Sequence, residues 1–190
     1  MKYRNKSWYK ALKHYYQSNY FIVMLYIILP FIFHGIGINI WQIPIAPGDG
    51  FIFGLPSKIF SSTLCSWNQY VQCGTYAFKD IGYQSLYLPG MIIMKLFPNP
   101  FGYNLLLLFH YAFAGFFTYL YVSTQKLNRF ASFISGVVFM FSGFLVAHKG
   151  HHSMMNAAIW LPLILYYIEL YIHKKNTIYI LRRIISLHRK

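Results

Sequence analysis

The sequence is short of acid. Of its 190 residues only three are Asp or Glu, against seventeen Lys and Arg, and charged residues of all kinds make up 11%. A soluble domain carries charge on about a quarter of its residues, so a water-exposed globule is excluded. Cysteine is scarce too, with two in the chain. That rules out a disulfide-dense scaffold and a paired zinc motif. There is no Gly-Lys-Ser/Thr phosphate loop, which excludes a P-loop ATPase. No small-residue cleavage site follows the basic segment Met1 to Lys13, and the apolar run after it is longer than a signal core, so that run is expected to remain as an anchor.

What the chain has in quantity is apolar surface: 57% of residues are hydrophobic, 21% aromatic, and the mean hydropathy is +0.40. A net charge of +14 would point to nucleic acid in a soluble chain. Here the basic residues fall between apolar runs, the pattern of topogenic loops and anionic-lipid contact, so membrane lipids are the expected partner and nucleic acid is not.

Taken in order, residues 1–19 form a basic aromatic leader with two readings, a segment lying at the headgroups or a solvated one. Apolar runs at about 20–40, 101–122, 130–147 and 154–172 are each long enough to cross a hydrocarbon core of about 30 Å. Residues 88–97 are apolar but too short to cross, bracketed by Pro89, Gly90, Pro98 and Pro100, and read as an interfacial or re-entrant helix within a long loop, 41–100. Residues 173–190 form a basic tail lying on the surface. The expected fold is all-α and polytopic, with four spans. Ser132, Ser135, Gly136, Ser142 and Gly143 in the third run, like Gly115 in the second, are small enough for membrane helices to approach closely.

Orientation follows from charge. With the N-terminus inside, five Lys/Arg of the leader, two of the turn Lys126 to Arg129 and six of the tail lie on the cytoplasmic side, while Lys58, Lys79, Lys95 and Lys149 lie outside. Thirteen against four favours this orientation strongly over its inverse. Both termini are then cytoplasmic, and the two polar loops, the long one and His148-Lys149-Gly150-His151-His152, face the exterior together.

Two of the three acids, Asp49 and Asp80, lie in the long loop; the third, Glu169, sits near the cytoplasmic end of the fourth run. Asp49 stands in Pro47-Gly48-Asp49-Gly50, where the glycines leave its carboxylate unobstructed. It reads either as a base or divalent-cation ligand or as an ordinary turn residue. Asp80, beside Lys79, reads as a substrate contact or as a loop salt bridge or cap. His148, His151 and His152, with Lys149, read as phosphate contacts, metal ligands or a solvated loop; His148 and His151, three apart, share a helical face if the third helix extends that far, and without a nearby Cys or acid the metal signal is weak. His110, central in the second run, is expected to pack neutral between helices. Cys65 and Cys73 both face outside, and spacing alone does not pair them.

The order Ser66-Trp67-Asn68, Gly74-Thr75, Asp80, Tyr87-Leu88-Pro89, Asn104, His110, Phe141-Ser142-Gly143, His148 and Trp160-Leu161-Pro162-Leu163 resembles the N-terminal part of the bacterial YfhO family. That family's members resemble GT-C glycosyltransferases, which transfer sugars from polyprenyl-phosphate donors outside the cytoplasmic membrane. The resemblance implies a polyprenyl-phosphate-linked sugar as donor, a cell-envelope polymer as acceptor, and Asp49 as the catalytic or phosphate-site acid. A divalent cation at Asp49 would fit the same role. Asp80, Trp67, Asn68, His148 and His151 become candidate substrate-binding residues, with Trp67 serving as a sugar platform or as part of the aromatic belt. Family chains run several times longer, so an N-terminal portion completed by further spans is expected. The alternative is a non-catalytic membrane module that is transporter-like, handles lipid or serves assembly.

The topology yields a first prediction. Single cysteines at Ser7, Ser62, Ser153 and Ser186, in a background lacking Cys65 and Cys73, are treated with an impermeant thiol reagent in intact cells. Ser62 and Ser153 are expected to label and Ser7 and Ser186 are not; the opposite pattern would end the four-span orientation.

Overall fold

A computed structural model describes residues 20–34, 39–46, 48–62, 67–69, 73–76 and 86–174. The leader, 1–19, and the tail from 175 onward lie outside the described residues. The elements are helix α1 (Tyr20–His34), a π-helical turn (Gly50–Gly54) running into α2 (Leu55–Ser62), a ribbon of β1 (Trp67–Asn68) and β2 (Thr75–Tyr76), then α3 (Leu88–Leu96), α4 (Phe101–Thr124), α5 (Arg129–Met140), α6 (Gly143–Ala147) and α7 (His152–Lys174).

Among the described residues three helical segments are long and apolar enough to cross a membrane: Phe101–Thr124, Arg129–Ala147 and His152–Ile172. They fall where the second, third and fourth apolar runs lie. The first run is helical over Tyr20–His34, which at 1.5 Å per residue reaches roughly 22 Å, and residues 35–38 lie outside the described residues. Residues 88–96 form the short helix expected between prolines, with Pro89 in its first turn, where the missing N–H has no intrahelical partner to lose. Among its described residues the long loop departs from an all-helical reading in a short ribbon. Trp67 pairs with Tyr76 and Asn68 with Thr75 in an antiparallel ribbon, closed by a turn in which Gly74 takes φ +108°.

The helix α4 is the axis of the bundle. In its most apolar window 61% of residues are buried, against 22% for each of the other two long segments, and it packs on both α5 and α7. The third segment is one span in length but two helices in hydrogen bonding. Asn128 caps α5 through a 2.7 Å bond from the Ala131 N–H, and α5 stops at Met140. Ser142 then caps α6, accepting from the Leu145 N–H. A Ser at this position competes with the helix for backbone donors and starts a new one.

Tyr26 seats α1 in a fitted notch of this core. Tyr26 is 1% exposed, its hydroxyl donates to the Phe133 carbonyl at 2.9 Å, and its ring lies against Tyr119 and Phe133. The notch that receives it is made by two glycines. A Cβ on Gly115 would come within 2.6 Å of the Tyr26 ring, and one on Gly136 would collide with the Tyr26 hydroxyl and the Gly115 carbonyl. Gly115 and Gly136 thus do what small residues in membrane helices are expected to do. Gly143 does not: a Cβ there meets nothing within 4 Å, because it opens α6 just beyond the helix break.

Gly136→Ala is therefore expected to lower the unfolding free energy of the detergent-purified chain by about 1–3 kcal/mol, the usual cost of overpacking. Gly143→Ala should be silent in the same melt. Combining Gly136→Ala with Tyr26→Phe, which removes the hydroxyl that the new methyl strikes, should recover part of the loss.

Candidate functional site

The loop that carries Asp49 is fixed by one buried amide. Asn104, in the first turn of α4, is fully buried; its Oδ1 accepts from the Ile45 N–H at 2.8 Å, and its Nδ2 donates to the carbonyls of Ile40 and Ile43, each at 2.8 Å. Both amide protons are used, so the side chain clamps residues 40–45 in one position. Five residues on, the Tyr103 hydroxyl donates to the Gly50 carbonyl at 2.5 Å. The 45–50 segment also meets the His loop backbone to backbone: a Cβ on Gly50 would lie 2.8 Å from the Gly150 Cα and 2.9 Å from the Ala46 Cβ. Gly54 fits almost as closely: a Cβ there would lie 3.0 Å from both the His152 Nδ1 and the Tyr103 hydroxyl.

Between these anchors the chain turns through Gly48, at φ +56°, and presents Asp49 at the rim. Asp49 precedes the π-helical turn, yet its side chain makes no capping hydrogen bond. The carboxylate is 56% exposed and its Oδ2 lies 3.8 Å from the Nε2 of His151, itself 52% exposed. At that distance no direct hydrogen bond forms, and an ion pair exists only when His151 is protonated; so exposed a pair contributes at most about 1 kcal/mol. The carboxylate is thus placed by its neighbours' backbone and not used by the fold. His148 stands next to it in the same loop, its ring stacked on Phe144 and 5.6 Å from that of His151. Its Nδ1 donates to the Phe144 carbonyl at 2.8 Å, which leaves Nε2 directed to other partners.

The structure therefore brings Asp49, His148 and His151 to one rim from loops about a hundred residues apart. Trp67 and Asn68 belong to the ribbon: Trp67 packs edge-on to Tyr76 and covers Gly74, and Asn68 is buried. Asp80 lies outside the described residues, as does Cys65; Cys73 is exposed in the ribbon turn. Among the described residues no group of three or more His, Cys, Asp or Glu is placed to hold a metal ion. A hard cation of the magnesium kind asks less, since one or two carboxylates with substrate phosphate oxygens and waters suffice. Asp49 fits that donor set, and His151 does not add to it.

Behind the rim lies a buried polar row. His152 is buried against Tyr103, with its Nδ1 3.3 Å from the Tyr103 hydroxyl. Lys58, counted earlier only as a loop charge, is wholly buried, its ammonium 5.3 Å from the centre of the Tyr87 ring. The Tyr87 hydroxyl donates to the His110 Nε2 at 2.6 Å and accepts from the Trp160 Nε1 at 3.2 Å, while the His110 Nδ1 donates to the Leu106 carbonyl at 2.6 Å. Burial pushes the Tyr87 pKa above its ordinary value, with the Trp160 bond pulling the other way, so the phenol stays a donor. His110 is the packed, fully bonded histidine expected of it. A single Lys inside the apolar segment 51–60 was the signal for Lys58.

A model of the family described as bacterial membrane protein YfhO matches residues 58–187. The chain belongs to the YfhO family. No curated protein and no solved structure matches it. The residues matched to YfhO begin at Lys58 and include Trp67, Asn68, Asp80, His148 and His151, whereas Asp49 precedes them. This YfhO chain is a membrane protein, with three long apolar helices among the described residues.

The clamp can be tested directly. Asn104→Leu keeps the volume but leaves the Ile45 N–H without its acceptor, an expected loss of about 1–3 kcal/mol. Hydrogen exchange at the Ile45 amide should rise by an order of magnitude or more, while amides in the middle of α4 keep their protection.

Proposed function

We propose that this chain contributes the exterior catalytic rim of a GT-C-like glycosyltransferase, which moves a sugar from a polyprenyl-phosphate donor to a cell-envelope polymer. The observation that carries the reading is the uncapped, half-exposed carboxylate of Asp49, held on a clamped loop beside the loop of His148 and His151. The thirteen-to-four division of basic residues supports an exterior rim and cytoplasmic termini, with Tyr20–His34 as the core of a first span.

In this reading the acceptor hydroxyl gives its proton to the Asp49 carboxylate as its oxygen attacks the anomeric carbon of the donor sugar. The bond between that carbon and the phosphate oxygen breaks, and polyprenyl phosphate leaves with the electron pair. Because Asp49 is open to water, the proton is then released to solvent. His151 and His148 hold donor or acceptor oxygens at the same rim, and Asp80, Trp67 and Asn68 are substrate contacts farther along the loop. A divalent cation, when bound at Asp49, would supply neutralisation of the leaving phosphate.

Where sugar transfer is reconstituted in membranes from this chain with whatever further polypeptide the reaction requires, Asp49→Asn is expected to lower the rate by about 10² to 10⁴ at equal abundance. Asn suits the same turns as Asp, so a structural role alone would leave the variant within a few-fold of the parent. The latter result returns Asp49 to the class of turn residues and favours a non-catalytic membrane module.

A further inference from the structure

The π-helical turn Gly50–Gly54 stands on its two glycines. A Cβ on Gly50 would meet the Gly150 Cα, and one on Gly54 would press on His152 and the Tyr103 hydroxyl, so both residues face the bundle. Those between them are open to the surroundings: Phe51 is 53% exposed, Ile52 59%, and Phe53 is exposed as well. The segment before the turn repeats the pattern. The Asn104 clamp binds the carbonyls of Ile40 and Ile43, while the side chains of Trp41 and Ile43 are exposed, Trp41 stacked flat on Phe101 at 3.9 Å.

The height of this apolar surface is set by what it rests on. Trp41 lies on the first residue of α4, and the glycines of the turn lie against the third residue of α4, the first of α7 and the His loop. These are neighbouring ends of two membrane-crossing helices. Exposed apolar side chains at that height stand where hydrocarbon gives way to headgroups.

Two further observations suit the place. The turn holds no polar side chain, and its backbone finds partners within the protein: the N–H groups of Phe51 and Ile52 both bond to the Gly48 carbonyl at 3.0 Å, and the Gly50 carbonyl takes the Leu55 N–H and the Tyr103 hydroxyl. Backbone set against lipid needs such internal partners. The ring of Phe97 meets Phe101 edge-on, and two residues before it the exposed Lys95 stands in the last turn of α3. Trp with Lys makes an interfacial anchor, the indole among the headgroups and the ammonium reaching their phosphates.

We propose that residues 41–54 form an in-plane anchor at the membrane interface, with Trp41, Phe51 and Ile52 buried in phospholipid. A second copy of the chain suits this surface less well. It would bring three acids in all against a net charge of +14, whereas lipid offers Lys95 a phosphate. Asp49, one residue ahead of Gly50, is then held at headgroup depth whatever chemistry it serves, so the anchor stands apart from the enzymatic reading.

The test measures depth and needs no activity. The full chain, lacking Cys65 and Cys73, receives a single cysteine as Phe51→Cys, Ile52→Cys or Val138→Cys, is labelled with an environment-sensitive dye, and is placed one chain to a nanodisc of phosphatidylcholine and phosphatidylglycerol. Lipids carrying a nitroxide near the headgroup or near the chain end report the depth of each dye, and iodide reports its exposure to water. Dyes at Phe51 and Ile52 should lie about 5–10 Å below the headgroups, the depth of an interfacial helix, quenched best by the shallow nitroxide and shielded from iodide. Val138, exposed halfway along the third long segment, should be quenched best by the deep one. Either loop position serves alone if the label at the other unfolds the chain. A loop dye beyond the reach of both nitroxides overturns the anchor, whether or not iodide finds it. Shielding that appears only in vesicles crowded with protein overturns it too, and gives the surface to a second copy.

Discussion

Everything at the rim hangs on a carboxamide. Asn104 is buried at the start of the most enclosed helix, and it satisfies one backbone donor and two backbone acceptors from a loop that has little regular structure of its own. In hydrocarbon surroundings such groups have no water to turn to, and irregular backbone is tolerated only where protein satisfies it. The clamp sets residues 40–45; glycine contacts with the His loop set residues 48–50; between them the direction of Asp49 is decided. The Asp49 side chain itself makes no capping hydrogen bond.

The same rule shapes the interior. A lysine and two histidines lie buried within a few residues' reach of one another, and each has partners that keep it in place: Tyr87 for Lys58 and His110, Tyr103 for His152. Tyr87 is the common member. Standing just before α3, it ties the short helix to α4 through His110 and to α7 through Trp160. A helix too short to span is thereby made a fixed wall of the bundle.

Length and hydropathy were enough to read the three long segments and the proline-bounded α3, because these depend on residues near one another in sequence; the family was read instead from the order of motifs between Ser66 and Leu163. Gly115 and Gly136 were legible as close-packing positions, whereas Gly143, of the same type, lies at a helix break that the apolar run around Phe141 conceals. The pairing of Asp49 with His151 was visible only as two loops on one side; their approach depends on Gly50 meeting Gly150, a contact across a hundred residues. The Asn104 clamp and the burial of Lys58 were not legible as such. An Asn in an apolar run and a Lys in a loop each have commoner explanations, and only the neighbours brought by folding choose between them.

The break at Phe141 and Ser142 has a mechanical side. The Phe141 N–H still bonds to the Val137 carbonyl at 3.1 Å, but the next N–H, of Ser142, reaches back only to Phe139, and α6 begins with its own cap. At its other end the Leu145 carbonyl takes a 2.9 Å bond from the Tyr111 hydroxyl of α4. The five residues before the His loop are therefore hinged on α5 and bolted to α4. A change in the length or tilt of α5 is absorbed at the hinge, whereas a shift of α4 moves the Asp49 loop and the His loop as one body. The span that leads to the His loop in sequence is insulated from it, and the two halves of the rim keep their spacing through a helix to which neither is joined in the chain.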